Sequence, residues 1–346
     1  MFEQMENAGL ERLHLACDPE TGLRAIIAIH STLRGPAIGG CRFITYQSEA
    51  DAITDATRLA RGMSYKAALS GLPHGGAKAV LIKPNHNFDR NALMESFGRF
   101  VEDLGGRYIT AMDSGTLTSD MDSIAHTTKW VTCTSQIGDP SPYTAMGVFE
   151  GIKAAVKHLN GSDSLQGIHV ALQGLGHVGY AVAQMLYNSG AHLTVSDIDQ
   201  VKVLKAVNEL GAKAVATDKI YGVEADVFCP CGLGAIINDH SMQQLRCRIV
   251  AGSANNQLER EEHGELLRRR DILYAPDYLI NAGGLIFVAM QHAGQTDAAI
   301  SAKVRQVGTS LSQLFQQADQ EGRCTHRIAN EKAETIIARA ALHSAA

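Results

Sequence analysis

Two lysines and one aspartate stand in surroundings that surface residues of these types rarely have. Lys66 lies in GMSYKAALSG, and Lys78 follows in LPHGGAKAVLI, directly after Gly75-Gly76-Ala77 at the start of a strand-like run. Small neighbours of this kind leave an ammonium approachable yet sheltered. Two lysines near one pocket disfavour each other's charge, which suits one of them to acid–base work near neutral pH. Asp113 ends the strand-like RYITAM and precedes a Ser-Gly turn, from which a carboxylate can point into an inter-domain cleft. Taken singly, each of the three is as readily structural as functional.

A second constellation is the loop Gly174-Leu175-Gly176-His177-Val178-Gly179, entered from the strand-like Ile168–Leu172 and left through a helix that opens at the last glycine. A lone GxGxxG carries little weight in a chain with 33 glycines. Between a strand and a helix it means more. The first glycine allows the tight turn, the second lets backbone approach a pyrophosphate, and the third lets helix and strand pack closely. N–H groups at the helix start then meet the phosphate charge. Asp197, at the end of the next strand, can accept both ribose hydroxyls of an adenosine and would repel a phosphate there. No Arg or Lys follows before Lys202, so NAD is favoured over NADP. The alternative, a tight turn beside a solvated carboxylate, fits the flanking pattern poorly. Asp199 reads as the N-cap of the following helix.

The elements that must position these groups fall into two sets. At 346 residues the chain suits two domains of roughly 150 each. Residues 1–138 mix strands and helices: Arg24–His30, Cys41–Tyr46, Ala77–Ile82 and Arg107–Met112 read as strands, with GPAIGG (Gly35–Gly40) as a turn. Helices are expected from Ser48, a plausible N-cap, to about Ala68, and from Asn91 to Leu104. GDPSPYTAMG (Gly138–Gly147) is the best linker. Beyond it, over 139–325, strands alternate with helices, the mark of a parallel sheet with crossover helices. A further helix over about 326–346 is expected to pack back on the first domain.

Composition excludes other classes. With 45% hydrophobic and 19% charged residues the chain can bury sizeable cores, unlike a disordered chain. A net charge of −5 and the absence of a basic run leave no electrostatic footprint for nucleic acid. Acids in the opening MFEQMENAGLERLHLA argue against a signal peptide, and apolar stretches of about six residues fall far short of the ~20 that span a bilayer. Seven scattered cysteines without a Cys-x-x-Cys pair, and Cys229-Pro-Cys231 too close for zinc spacing, point to free thiols in a reducing cytoplasm and to no metal.

In order along the chain, GPAIGGCR, RGMSYKAALSGLPHGGAKAV, AMDSGT, GDPSPYTAMGV, GLGHVG, AGSANNQL and YAPDYLINAGG resemble the glutamate/leucine/phenylalanine/valine dehydrogenase family, from about Arg24 to Gly322 and most nearly its leucine branch. Joint occurrence makes the pattern specific. The resemblance implies an α/β fold of two domains. The N-terminal one serves substrate binding, catalysis and oligomerisation, the second is a Rossmann-type doubly wound NAD-binding domain, and the active site lies in the cleft between them. It implies that Lys66 binds the substrate α-carboxylate with backbone at Gly39 and Gly40, that Lys78 activates water, and that Asp113 shuttles protons at the amino nitrogen. Thr144, Cys231, Ala254, Asn255 and Asn281 would line the nicotinamide side, Asn281 also touching substrate; from the residues alone, Asn281 reads as an N-cap for a helix from Ala282.

Several positions depart from the family pattern. Met112 stands where relatives often have Glu, Ala77 where many have a third Gly, and His177 where Asn is commoner in the phosphate loop; the family's frequent acidic pair after NAGG is replaced by LIFVAMQH. Glutamate-specific members hold the distal carboxylate with a cation, and the matching position here is Ile38. Val304 and Val307 fall on an apolar helix stripe (about Ala298 to Gln320) that reads first as core, and they align with positions capping the side-chain pocket, which Ala111 also borders. The expected activity is therefore reversible NAD-dependent oxidative deamination of an apolar L-amino acid such as leucine, valine or isoleucine by a cytoplasmic homo-oligomer. An aromatic amino acid dehydrogenase is the alternative. A catalytically silent NAD-binding sensor is disfavoured, because Lys66, Lys78 and Asp113 are all present.

Overall fold

The computed structural model describes residues 2–232 and 234–344. The chain divides into two compact units, one of Met1–Pro140, Val288–Thr296 and Ala333–Ala346, the other of Ser141–Phe287 and Asp297–Lys332.

The first unit is built on a mixed five-stranded sheet. Its elements in order are α1 (Phe2–Ala8), β1 (Arg12–Asp18), β2 (Leu23–Ser31), β3 (Ala37–Ile44), α2 (Glu49–Leu69), β4 (Gly75–Ile82), α3 (Arg90–Glu102), β5 (Tyr108–Met112) and α4 (Thr118–Ala125). The strand order is β1-β2-β4-β3-β5. β1 and β4 run antiparallel to β2, while β3 lies parallel to both β4 and β5. Helix α2 starts at Ser48, whose side chain accepts from Asp51 N. Ala52, Ala56 and Ala60, one turn apart, bring α2 close to the sheet face that carries Ile26, Ala28 and Val80. Read from sequence, Gly35–Gly40 is a turn. In the structure its second half belongs to β3, because a glycine there admits the neighbouring strand: a Cβ on Gly39 would stand 1.8 Å from the Ala77 carbonyl oxygen. β1 has no counterpart among the strands expected from sequence.

The second unit holds α5 (Ser141–Asn160), β6 (His169–Gln173), α6 (His177–Asn188), β7 (His192–Ser196), α7 (Gln200–Leu210), β8 (Lys213–Ala214), β9 (Val227–Pro230), α8 (Asp239–Gln244), β10 (Ile249–Val250), α9 (Glu262–Arg269), β11 (Leu273–Tyr274), α10 (Asp277–Ile280) and α12 (Asp297–Glu321). Between the last two runs α11 (Gly283–His292), and α13 (Thr325–Ser344) follows α12. The six strands are all parallel in the order β11-β10-β9-β6-β7-β8. Successive strands leave β6 first toward β7 and later toward β9, so the switch point lies between β6 and β9, where doubly wound sheets bind ligands. Asp199 is the N-cap of α7, its carboxylate accepting from Val201 N. No described helix is long and apolar enough to cross a membrane.

Candidate active site

Three strands of the first unit assemble one group of site residues. In parallel register Ile38 stands beside Gly76 and Ile109, and Gly40 beside Ala111. Alternation then puts Ile38, Gly40, Arg42, Gly76 and Lys78 on one face, the one that α2 covers. Lys78 Nζ lies 2.6 Å from Asp113 Oδ2, with the two side chains 7% and 16% exposed. Arg42 Nε donates to the same oxygen at 3.2 Å, and its Nη1 to Asp55 Oδ2 at 2.8 Å. The Tyr46 hydroxyl also donates to that Asp55 oxygen, at 2.6 Å. Burial alone would raise the Asp113 carboxyl, but the Lys78 ammonium and the Arg42 guanidinium outweigh it and hold it down to about 2. Asp113 is therefore an ionised acceptor throughout the neutral range. The group in direct contact with Lys78 Nζ is this carboxylate.

The backbone around the pair is closely fitted. A Cβ on Gly40 would lie 2.8 Å from Asp113 Cβ, 2.9 Å from the Met112 carbonyl oxygen and 3.4 Å from Lys78 Nζ. Thr116 Oγ1 accepts from Asp113 N at 2.9 Å and donates to Asp113 O at 2.8 Å, which holds the residue at the strand end. The Gly39 carbonyl accepts from the Tyr108 hydroxyl at 2.8 Å. Lys66 is half-buried on the last turn of α2, two residues past Ser64, whose backbone closes on Gly76. Ile38 and Ala111 are buried. Arg42 was not singled out from sequence; its signal is its place in GPAIGGCR, two residues past Gly40 on the same strand face.

The second unit gathers another group at the switch point. Gly174 takes φ +93°, a left-handed conformation that glycine tolerates. A Cβ on Gly176 would meet nothing within 4 Å, so the backbone is open to a ligand there, whereas one on Gly179 would stand 1.9 Å from the Gly174 carbonyl oxygen. Helix α6 opens at His177 with Gly176 as N-cap, two residues earlier than the last glycine, so His177, Val178 and Gly179 form its first turn. Leu175 is buried beneath the loop. Asp197 Oδ2 accepts from Leu175 N at 2.5 Å and Oδ1 from Asp199 N at 2.8 Å, which leaves lone pairs for hydroxyl donors. Cys231 N donates to Gln173 O at 2.7 Å and Ala254 N to Pro230 O at 2.9 Å.

Asn281 proves not to be an N-cap. It ends α10, and its Nδ2 donates to Ser253 O at 3.0 Å and to Asn255 Oδ1 at 2.8 Å. Its buried Oδ1 has no partner among the described residues, an acceptor left for a ligand donor. Thr144, on the first turn of α5, lies close to Gly283, whose added Cβ would stand 3.1 Å from its Cα. Val304 and Val307 are buried on α12, which packs against α5. Among the described residues Asp239, Glu259 and His263 are spaced to hold a metal ion. Arg260 Nη2 already lies 2.9 Å from both Asp239 oxygens and His263 Nε2 is 3.0 Å from one of them, so the cluster is satisfied as an ion pair.

The open Gly176 backbone, the Asp197 carboxylate and the orphaned Asn281 acceptor fit the pyrophosphate, ribose and carboxamide of a nicotinamide dinucleotide. Two family profiles match the sequence: "Glu/Leu/Phe/Val dehydrogenase, dimerisation domain" over residues 12–130, and "Glutamate/Leucine/Phenylalanine/Valine dehydrogenase" over 139–345. The chain belongs to this dehydrogenase family. It is an NAD-dependent amino acid dehydrogenase, as its sequence resemblance implied. The dehydrogenase is 48% identical over 341 residues to leucine dehydrogenase of Thermoactinomyces intermedius, covering 97% of this chain and 93% of that one. It is 43% identical over 349 residues to phenylalanine dehydrogenase of Bacillus thermotolerans, covering 97% and 90%. The crystal structure of L-tryptophan dehydrogenase from Nostoc punctiforme superposes with a TM-score of 0.85 at 40% identity, over 98% of this chain and 99% of that one.

Proposed function

We propose that this dehydrogenase reversibly converts an apolar L-amino acid of the leucine, valine or isoleucine kind to its α-keto acid and ammonia, with Lys78 and Asp113 as the catalytic groups. The observation that carries the reading is the 2.6 Å contact of Lys78 Nζ with Asp113 Oδ2, on strands whose nearby Ile38 and Ala111 are apolar and buried. Arg42, the cation on the same strand, is already held by two carboxylates. Lys66, with backbone at Gly39–Gly40, receives the α-carboxylate. Ile38 and Ala111 serve the side chain, and neither can pair with a distal carboxylate. Thr144, Cys231, Ala254, Asn255 and Asn281 hold the nicotinamide half, while the glycine loop and Asp197 hold the rest.

As substrate enters, its amino group takes the place of Lys78 against Asp113. Asp113, no longer paired with Lys78 and still held by Arg42, then takes a proton from the α-ammonium. The amine lone pair drives hydride from Cα, and NAD, when bound, supplies the acceptor. Lys78, parted from its carboxylate, gives its proton to solvent and serves as the base that takes one from the water adding to the imine carbon. Asp113 returns its proton to nitrogen and takes the carbinolamine hydroxyl proton as the C=O bond forms and the C–N bond breaks, and ammonia leaves. The profile described as a dimerisation domain supports a homo-oligomer.

A panel of twenty L-amino acids with NAD, followed at the absorbance of reduced nicotinamide, tests the reading; it expects leucine, valine and isoleucine to lead. The likeness to L-tryptophan dehydrogenase favours an aromatic substrate as second reading. Preference for phenylalanine or tryptophan over leucine would select it.

A further inference from the structure

Cys229 and Cys231 flank Pro230 at the switch point of the parallel sheet, and the deamination above leaves the pair's sulfur chemistry unused. Cys229 is fully buried within β9, where it pairs with Leu172 of β6. Cys231, the first residue beyond the strand, is half-buried. Their sulfur atoms lie 3.6 Å apart. Cys231 is also built into the dinucleotide loop. Its Cβ would lie 3.0 Å from a Cβ on Gly179, and its carbonyl carbon 2.9 Å from one on Gly174. Ser253 hydrogen-bonds the Cys231 sulfur and, through its carbonyl, Asn281 Nδ2.

We propose that Cys229 and Cys231 form a modification site, a dithiol that hydroperoxides oxidise to a Cys229–Cys231 disulfide, and that the disulfide weakens NAD binding. Cys231 is the attacking sulfur, being the more exposed of the two. The hydrogen bond from the Cys229 thiol lowers the pKa of Cys231 against the opposing effect of burial, and the same bond holds Cys229 protonated. Cys231 sulfur attacks the hydroperoxide, the O–O bond breaks, the departing oxygen takes the thiol proton, and Cys231 becomes a sulfenic acid. Cys229 sulfur then attacks Cys231 sulfur, the S–O bond breaks, and water leaves with the second proton. The two thiols lose two electrons, which the O–O bond accepts.

Closing the bond takes the sulfurs from 3.6 Å to about 2.05 Å, an approach of roughly 1.5 Å. Cys229 is held between β6 and β10 in the sheet, so residue 231 makes the movement. That shift is transmitted directly to Gly174 and Gly179, against which Cys231 is packed. A bound dinucleotide covers the same loop and should shield the pair.

The full-length enzyme is treated with micromolar hydrogen peroxide, with and without saturating NAD, then alkylated and mapped by mass spectrometry. The tryptic peptide from Ile220 to Arg246 contains just these two cysteines, so the disulfide appears as the loss of two hydrogens from it. The expected result is this peptide in the absence of NAD, protection by NAD, and an NAD Kd raised at least about tenfold by titration calorimetry and restored by dithiothreitol. Cys229→Ser and Cys229→Ala should abolish both the disulfide and the thiol-reversible change in Kd. The proposal is overturned if the exposed Cys17 is oxidised while this peptide stays reduced, or if the disulfide forms and NAD Kd does not change.

Discussion

Gly40→Ala adds a single methyl group beside the Lys78–Asp113 pair. The new carbon would stand 2.8 Å from Asp113 Cβ and 2.9 Å from the Met112 carbonyl oxygen. Carbon–carbon contacts are comfortable from about 3.5 Å, so the end of β5 must recede by roughly 0.7 Å. The Met112 oxygen is backbone and cannot swing aside as a flexible side chain would, so Asp113 moves with it. The Lys78–Asp113 contact of 2.6 Å then opens to about 3.3 Å, beyond the normal range of such a hydrogen bond. Misplacing a catalytic group by about 1 Å can cost on the order of 10²-fold in rate. Overpacking of this size costs about 1–3 kcal/mol, which a domain of ordinary stability survives. Turnover with saturating L-leucine and NAD, followed by reduced nicotinamide absorbance, should therefore fall about 10- to 100-fold, with NAD Kd unchanged and Tm lowered by a few degrees. Gly62→Ala on α2, whose added carbon would meet nothing within 4 Å, is the control and should keep full turnover. Turnover within about threefold of wild type for Gly40→Ala would refute the claim that this glycine sets the geometry of the pair.

Lys78→Ala should lower kcat by orders of magnitude with the fold intact, whereas Lys66→Ala should mainly raise KM, since the α-carboxylate is present in ground and transition states alike. Equal kcat losses with unchanged KM would contradict this division. Burying a distal carboxylate against Ile38 and Ala111 without a partner costs several kcal/mol, while an isobutyl group gains about 2, so kcat/KM for leucine should exceed that for glutamate by more than about a thousandfold. Comparable values for the two substrates would reveal a cation lining the side-chain pocket. His30, hydrogen-bonded to Ser64 Oγ, is lowered to about 4 by burial first and the Arg61 charge second. The unfolded chain takes up this proton near pH 6.5 and the folded one near pH 4, so its stabilisation, roughly 3 kcal/mol, is complete above about 6.5 and lost as pH falls to about 4. His30→Gln should flatten the dependence of Tm on pH across that window, and an unaltered slope would remove His30 from the account.

The glycine loop was legible in sequence because everything it needs is local: a strand, three glycines at fixed spacing and a helix start. Where meaning depended on a distant strand, sequence misled or said nothing. Gly39 and Gly40 look like turn residues, yet they lie in β3 because glycine is equally the residue for close approach, and what approaches is Ala77 on β4 and Asp113 after β5. Strand alternation alone could not have paired Arg42 with Asp113, since that contact rests on the β3–β5 register across 71 positions. The same limit applies to Lys78: spacing along a helix end, a turn and a strand does not determine a distance, and nothing local shows that the sheet brings Asp113 Oδ2 to within 2.6 Å of its Nζ. With Arg42 on the same oxygen, this contact keeps Asp113 ionised in the empty site, so on the proposed mechanism the incoming amino group meets a ready proton acceptor.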